Sequence, residues 1–139
     1  MKRIGWRGYN FSRTIDGSMI PQRVQNLVIR NYCQLSNLTY LLSATEYAIS
    51  NSYMMLYSIF EELKSIEGIV MYSVHMLPEK ASTRNEIYKQ ILEKGAALRF
   101  ALEELVILSE RDIAAIEELM VCKELISQVK VSPEYLLKK

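Results

Sequence analysis

The run Gly68-Ile-Val-Met-Tyr-Ser-Val74 restricts the possible folds of this chain more than any other segment. It is apolar without alternation, starts at a glycine and ends before a loop marked by Pro78, so it reads as a strand buried on both faces. Such a strand needs helices above and below it, and helical patterns lie on either side. Leu56, Ile59, Phe60 and Leu63 repeat at helical spacing across 53–65, with Asn51 or Ser52 as the cap. Downstream, Thr83 with Glu86 reads as a capping box opening a helix to Lys94, which Gly95 terminates.

The same alternation runs through the rest of the chain. Residues 2–9 read as a first strand. Pro21 stands where a first helical turn tolerates proline, and the helix over 21–35 carries Val24, Leu27, Val28 and Leu35 as its apolar face. Thr39–Leu42 and Ala96–Leu102 read as two further strands. Ser109 with Asp112 caps a last helix of about 18 residues by its apolar period. Strand–helix alternation implies a mostly parallel sheet of four to five strands with helices on both faces, a three-layer α/β fold. The expectation is one domain over 1–128, followed by a tail over 129–139 containing Pro133.

Composition narrows the function classes. Half the residues are apolar and 24% are charged, the usual balance for a globular protein. No segment reaches the roughly 18 consecutive apolar residues of a membrane span, and the first residues lack a signal-peptide layout. A cytoplasmic protein without membrane insertion is expected. Cys33 and Cys122 form no C-x-x-C pair and read as two buried thiols; with one histidine in the chain, no metal site or cofactor is expected. The net charge of +1 hides an asymmetry: Lys2, Arg3, Arg7, Arg13, Arg23 and Arg30 face only Asp16 in the first 45 residues. That cationic third points to an anionic ligand.

In an open α/β sheet the ligand crevice lies beyond the carboxyl ends of the strands. This rule gathers Tyr9, Asn10, Ser12 and Arg13 after the first strand, Ser43, Glu46 and Tyr47 after the second, Ser73 and His75 after the third, and Glu103 and Glu104 after the fourth. Arg13 is the leading anion contact because its planar fork suits phosphate or carboxylate; a solvated loop arginine is the other reading. Gln22, Asn26 and Arg30 recur every four residues and, with Cys33, form a polar stripe that is either a binding face or a wet helix side. Glu46, isolated among cations, reads as an acid or base or as a structural ion-pair partner of Arg13 or Arg30. His75 reads as its acid–base partner or as a satisfied structural histidine. Tyr53, Met54 and Met55 rim a pocket or pack a helix. The chain has no Gly-x-Gly-x-x-Gly, Walker loop, Gly-x-Ser-x-Gly or His-Glu-x-x-His motif.

Two family resemblances follow from these residues. Over 4–105 the layout resembles the catalytic domain of serine recombinases of the resolvase–invertase type. The matching pieces are Gly8-Tyr9, Gln22, Tyr32-Cys33, the segment Gly68–Leu77 and Phe100–Glu103. Aligned through Gln22 without a gap, Phe11 stands where that family has an arginine and Arg13 where it has the nucleophilic serine; Ser12 reaches that role only with a one-residue shift. His75, Met76 and Glu79 stand at the places of an aspartate and two arginines, which removes the positive charge a phosphodiester transition state needs.

Nearly the whole chain is also similar to the sporadic carbohydrate cluster proteins of bacterial surface-polysaccharide gene clusters. This similarity runs through Arg7-Gly-Tyr, Ser12-Arg13, Pro21–Arg30, Asn31-Tyr-Cys33, Leu42–Tyr47, Tyr72-Ser73, Leu77-Pro-Glu79 and Phe100–Glu103. It implies an anionic sugar or sugar nucleotide as partner, without fixing a reaction.

The expected function is therefore surface-carbohydrate biosynthesis at the carboxyl edge of the sheet. Glu46 and His75 are the expected acid–base pair, with Tyr9, Ser12, Arg13, Gln22, Asn26, Arg30, Tyr47, Ser73 and Glu103 contacting substrate. Two alternatives stand beside it: a non-enzymatic interaction or regulatory subunit of a polysaccharide-biosynthesis complex, and a recombinase relative acting on DNA. Ile113, Ile116, Leu119, Met120 and Val121 make the last helix apolar enough to bury a partner helix, and self-association through it is expected. A nucleic-acid partner is disfavoured because no groove-reading element follows residue 128.

Overall fold

The computed structural model describes residues 2–128; the tail expected over 129–139 lies outside the described residues. Five strands form one sheet: β1 (Trp6–Phe11), β2 (Tyr40–Glu46), β3 (Gly68–Met71), β4 (Ala97–Phe100) and β5 (Leu105–Ile107), in the order β2-β1-β3-β4-β5. The first four are mutually parallel, and β5 runs antiparallel to β4 at the edge. All four residues of β3 are buried, as a central strand covered on both faces requires. β5 has only three residues and had no strand signal of its own. It doubles back through a turn in which Glu104 takes a positive φ of 57°.

Four α-helices surround the sheet: α1 (Gln22–Leu35), α2 (Met54–Ile59, continued by a 3-10 turn over Phe60–Glu62), α3 (Ala81–Glu93) and α4 (Glu110–Gln128). Side chains alternate along β1. Asn10 reaches Asn26 of α1 on one face, whereas Arg7 reaches Glu62 and Tyr9 reaches the α2 region on the other. Helices therefore lie on both faces, and the three-layer α/β expectation holds.

Several local expectations change. The inward face of α1 is Gln25, Ile29 and Cys33, spaced by four as one helix stripe requires, while Leu27 and Leu35 are 68% and 75% exposed. Gln25 turns inward because its amide satisfies three backbone groups that would otherwise be buried unpaired: Phe11 N, Phe11 O and Ile20 O, each at 2.8 Å. Lys80, and not Thr83, is the N-terminal flanking residue of α3, and it makes no side-chain cap. Asp112 does cap α4, accepting from Leu108 N and Ser109 N. Cys33 is buried as expected, but Cys122 is exposed. On α4, Ile116 and Met120 are buried and Ile113 is partly buried against the core. Of the five residues offered for self-association, only Leu119 and Val121 lie on its outer side.

α4 is pinned to α3 through Arg84, which is 5% exposed. Its guanidinium forks onto Glu117 at 2.8 and 2.9 Å and holds the carbonyls of Pro78 and Glu79, while Tyr88 donates to the same carboxylate. The Arg84 fork holds the Glu117 carboxyl below its ordinary value of 4.5. A carboxylate with a depressed native pKa contributes stability that is present above the unfolded value and lost as pH falls through the native one. Denaturant midpoints should therefore fall on acidification below about pH 4.5, and Glu117→Gln should lower stability at neutral pH while flattening that acid slope. An unchanged slope would show that Glu117 does not carry it.

Candidate functional site at the carboxyl edge of the sheet

The tips of β1 and β2 are stitched together by the residues that follow them. Ser12 Oγ donates to the Glu46 carbonyl at 2.7 Å, and Arg13 Nη1 donates to the Tyr47 carbonyl at 3.0 Å. The Arg13 guanidinium lies over the Phe11 ring at 3.9 Å and near the Tyr53 ring at 5.1 Å. Stacking of this kind holds the planar cation in a fixed plane at little entropy cost. Among the described residues no carboxylate lies within ion-pair distance of Arg13; the salt bridges are Arg7–Glu62, Arg84–Glu117 and Lys123–Asp16. The fork is thus built without a counter-ion among the described residues.

Glu46 does not supply that counter-ion. It is 1% exposed, and its carboxylate accepts from five donors: Tyr9 Oη at 2.8 Å, Tyr47 N, Ser52 Oγ, Met55 N and Leu56 N. A carboxylate offers about four lone-pair sites, so these are full. Met55 and Leu56 are in the first turn of α2, whose own flanking residue Tyr53 makes no side-chain cap. Glu46 thus caps α2 from a neighbouring strand, in place of the Asn51 or Ser52 cap expected; Ser52 instead donates to Glu46. Burial, and then the Glu46 charge, push the Tyr9 phenol well above its ordinary value, which keeps it a donor.

A second cluster sits at the tips of β3 and β4. Ser73 Oγ donates to Glu103 Oε2 at 2.6 Å and accepts from His75 N, while Val74 N donates to Glu103 Oε1. Ser73 is 1% exposed, so Ser73 and Glu103 occupy each other and fix the turn over Val74–Met76. None of the donors to Glu46 comes from His75, whose Nδ1 is buried without a partner. The expected acid–base pair is therefore not assembled, because Glu46 is spent on α2. The clusters adjoin through Tyr53, whose Oη donates to the Met76 carbonyl at 2.8 Å. Met76 is itself fully buried.

The α1 stripe divides. Asn26 accepts from Asn10 Nδ2 at 2.8 Å, but Gln22 and Arg30 are exposed on the helix, Arg30 lying toward the Tyr40 ring at 5.8 Å. Tyr47 is exposed, and its contact with Arg13 is through its backbone carbonyl. Next to Tyr53 a cavity of about 340 Å³ is lined by Asn51, Tyr53, Pro78, Glu79, Lys80 and Thr83. Asn51, Lys80 and Thr83 were absent from the sequence reading of the site. The available signal was the set of polar residues flanking Pro78 in a loop after a strand. A larger groove of about 870 Å³, between α3 and α4, lies by Gly95 and Ala96 at the opposite, amino end of β4.

No protein-family model matches the chain, and no curated protein matches it. Solved structures do. The chain is similar to the crystal structure of a resolvase family site-specific recombinase from Streptococcus pneumoniae, with a TM-score of 0.62 and 10% identity over 88% of this chain and 91% of that one. It is similar too to the N-terminal catalytic domain of TP901-1 integrase, with a TM-score of 0.60 and 10% identity over 90% of this chain and 99% of that one. The fold is thus that of resolvase catalytic domains. The resemblance to the carbohydrate cluster proteins gains no support from these comparisons.

Proposed function

We propose that this chain binds a small, hydroxyl-bearing anion of the sugar phosphate or sugar nucleotide class at the carboxyl edge of its sheet, with Arg13 as the anion contact. The observation that carries the reading is the Arg13 fork, held over the Phe11 ring and near the Tyr53 ring and left without a carboxylate at ion-pair distance among the described residues. A preorganised guanidinium of this kind suits a phosphate oxygen pair. The adjoining cavity supports the hydroxyl-bearing part: an amide, a phenol, a carboxylate, an ammonium and a hydroxyl line it. The uncapped amino end of α3 beside Lys80 adds N–H groups that favour an anion. The sugar itself is suggested by the resemblance to the carbohydrate cluster proteins. Glu46, filled by five donors, takes a structural part in this scheme.

A second reading, DNA binding by a recombinase-derived domain, is favoured by the fold likeness. The same edge argues against cleavage. Phe11, Met76 and Glu79 stand where the resemblance places three arginines, and Glu79 adds a negative charge. Among the described residues the Ser12 hydroxyl donates to the Glu46 carbonyl and not to a base.

Calorimetric titration with a panel of sugar nucleotides and sugar phosphates, run beside duplex DNA at low salt, separates the readings. Binding of a panel member should weaken by roughly ten- to a hundredfold in Arg13→Ala, the loss of a charge-assisted contact, and Arg13→Lys should restore only part of it. Saturable, salt-dependent DNA binding with no response to the panel would replace this reading with the second. Silence toward both would end both.

A further inference from the structure

We propose that Arg99 and Trp6 form an oxyanion site, for a phosphate or carboxylate group, on the α1 face of the sheet. Arg99 lies in β4, opposite Val70 of β3, which pairs with Gly8 of β1. Its side chain shares the face on which α1 packs: Nη1 donates to Tyr32 Oη at 3.0 Å, and the guanidinium lies over the Trp6 ring at 4.7 Å. Arg13 is elsewhere, beyond the other end of β1 and over Phe11 and Tyr53 on the opposite face.

Three facts make this pair more than a packed cation. Arg99 is half-buried yet has no carboxylate partner among the described residues. Its Nε is buried with no acceptor. Trp6, only 4% exposed, also has a buried Nε1 with no acceptor. Buried donors are nearly always paired, and a cation drawn out of water needs an opposite charge or a strong set of acceptors. Among the described residues the contacts of Arg99 are the indole face and the Tyr32 oxygen, with the neutral Cys33 thiol nearby, and none of these carries a negative charge. Both missing partners are acceptors, and the missing charge is negative. An oxyanion meets both needs, whereas a water molecule supplies an acceptor without the charge.

The site carries its own reporter, because Trp6 is the only tryptophan in the chain. Intrinsic fluorescence is titrated with inorganic phosphate and, separately, with acetate, using chloride at equal ionic strength as the blank. A saturable change with phosphate or acetate and none with chloride is expected, and the better of the two anions identifies the group. Arg99→Met should weaken it by at least about tenfold, as loss of a charge-assisted contact implies, while Arg13→Ala should leave it intact. The test is thus independent of the Arg13 reading. If Arg99→Met does not fold, the indole N–H resonance of the wild-type chain gives the second measurement and should move downfield on adding the anion. No saturable response in either measurement would mean that water alone fills the site. A response that survives in folded Arg99→Met would place the anion elsewhere. Either result overturns the proposal.

Discussion

Replacing Glu46 with alanine is expected to destabilise the chain by about 3–5 kcal/mol, the range for breaking a buried charged network by removing one member. The size follows from the number of stranded groups. Tyr9 Oη, Tyr47 N, Ser52 Oγ, Met55 N and Leu56 N all lose their acceptor at once, in a place where Tyr9 and Leu56 are fully buried and water cannot enter without a cavity. α2 has six residues, too few to persist by propensity, so losing its cap frays its start and with it the floor under Tyr53. Total stabilities of domains this size are about 5–15 kcal/mol, so the loss removes a large share. Urea unfolding followed by far-ultraviolet circular dichroism measures it. Glu46→Gln keeps one acceptor oxygen but turns an NH2 group toward donors, and should fall between. A Glu46→Ala protein that keeps wild-type stability while losing ligand would return Glu46 to the role of a reacting group.

That result bears on how much of this molecule can be read from its sequence. The buried strand at Gly68–Met71, the strand–helix alternation and the Asp112 cap are local patterns, and they hold in three dimensions. The identity of the inward residues of α1 is not local. Hydropathy favours Leu27 and Leu35, but Gln25 goes inside because the backbone of Phe11 and Ile20 needs its amide. The same holds for Glu46. An isolated acid after an apolar strand is a reasonable reactive group until the start of α2, which lacks a cap of its own, arrives eight residues later in the chain to claim it. For Arg13, the absence of an ion-pair partner among the described residues agrees with the scarcity of acids around it in the sequence. Lys80 and Thr83 come to the edge only through the α3 packing fixed by Arg84 and Glu117, which no local pattern encodes.

The second large effect is expected at Gly68. Gly68→Ala should cost about 3 kcal/mol, the upper part of the range for overpacking a closed core. Gly8→Ala, on the adjacent strand, should cost about 1 kcal/mol or less. The two sites look alike, since both are glycines with ordinary backbone angles in central parallel strands. They differ in what a methyl group would strike. At Gly68 a Cβ would run into the carbonyl oxygen of Ala97, its partner on β4, and into the Trp6 ring. The oxygen belongs to backbone held in the ladder, so relief requires parting β3 from β4. At Gly8 the first atom struck is Ser43 Oγ, which can turn away at the loss of its 2.7 Å hydrogen bond to Tyr40 Oη. Urea midpoints for the two variants give the comparison, and Trp6 fluorescence reports the Gly68 change directly because the indole lies over that glycine. Equal costs would show that the β3–β4 spacing yields as easily as a serine rotamer. The sheet could not then hold Ser73 and Glu103 in register at their 2.6 Å contact, since the ladder between β3 and β4 is what sets the distance between those two tips.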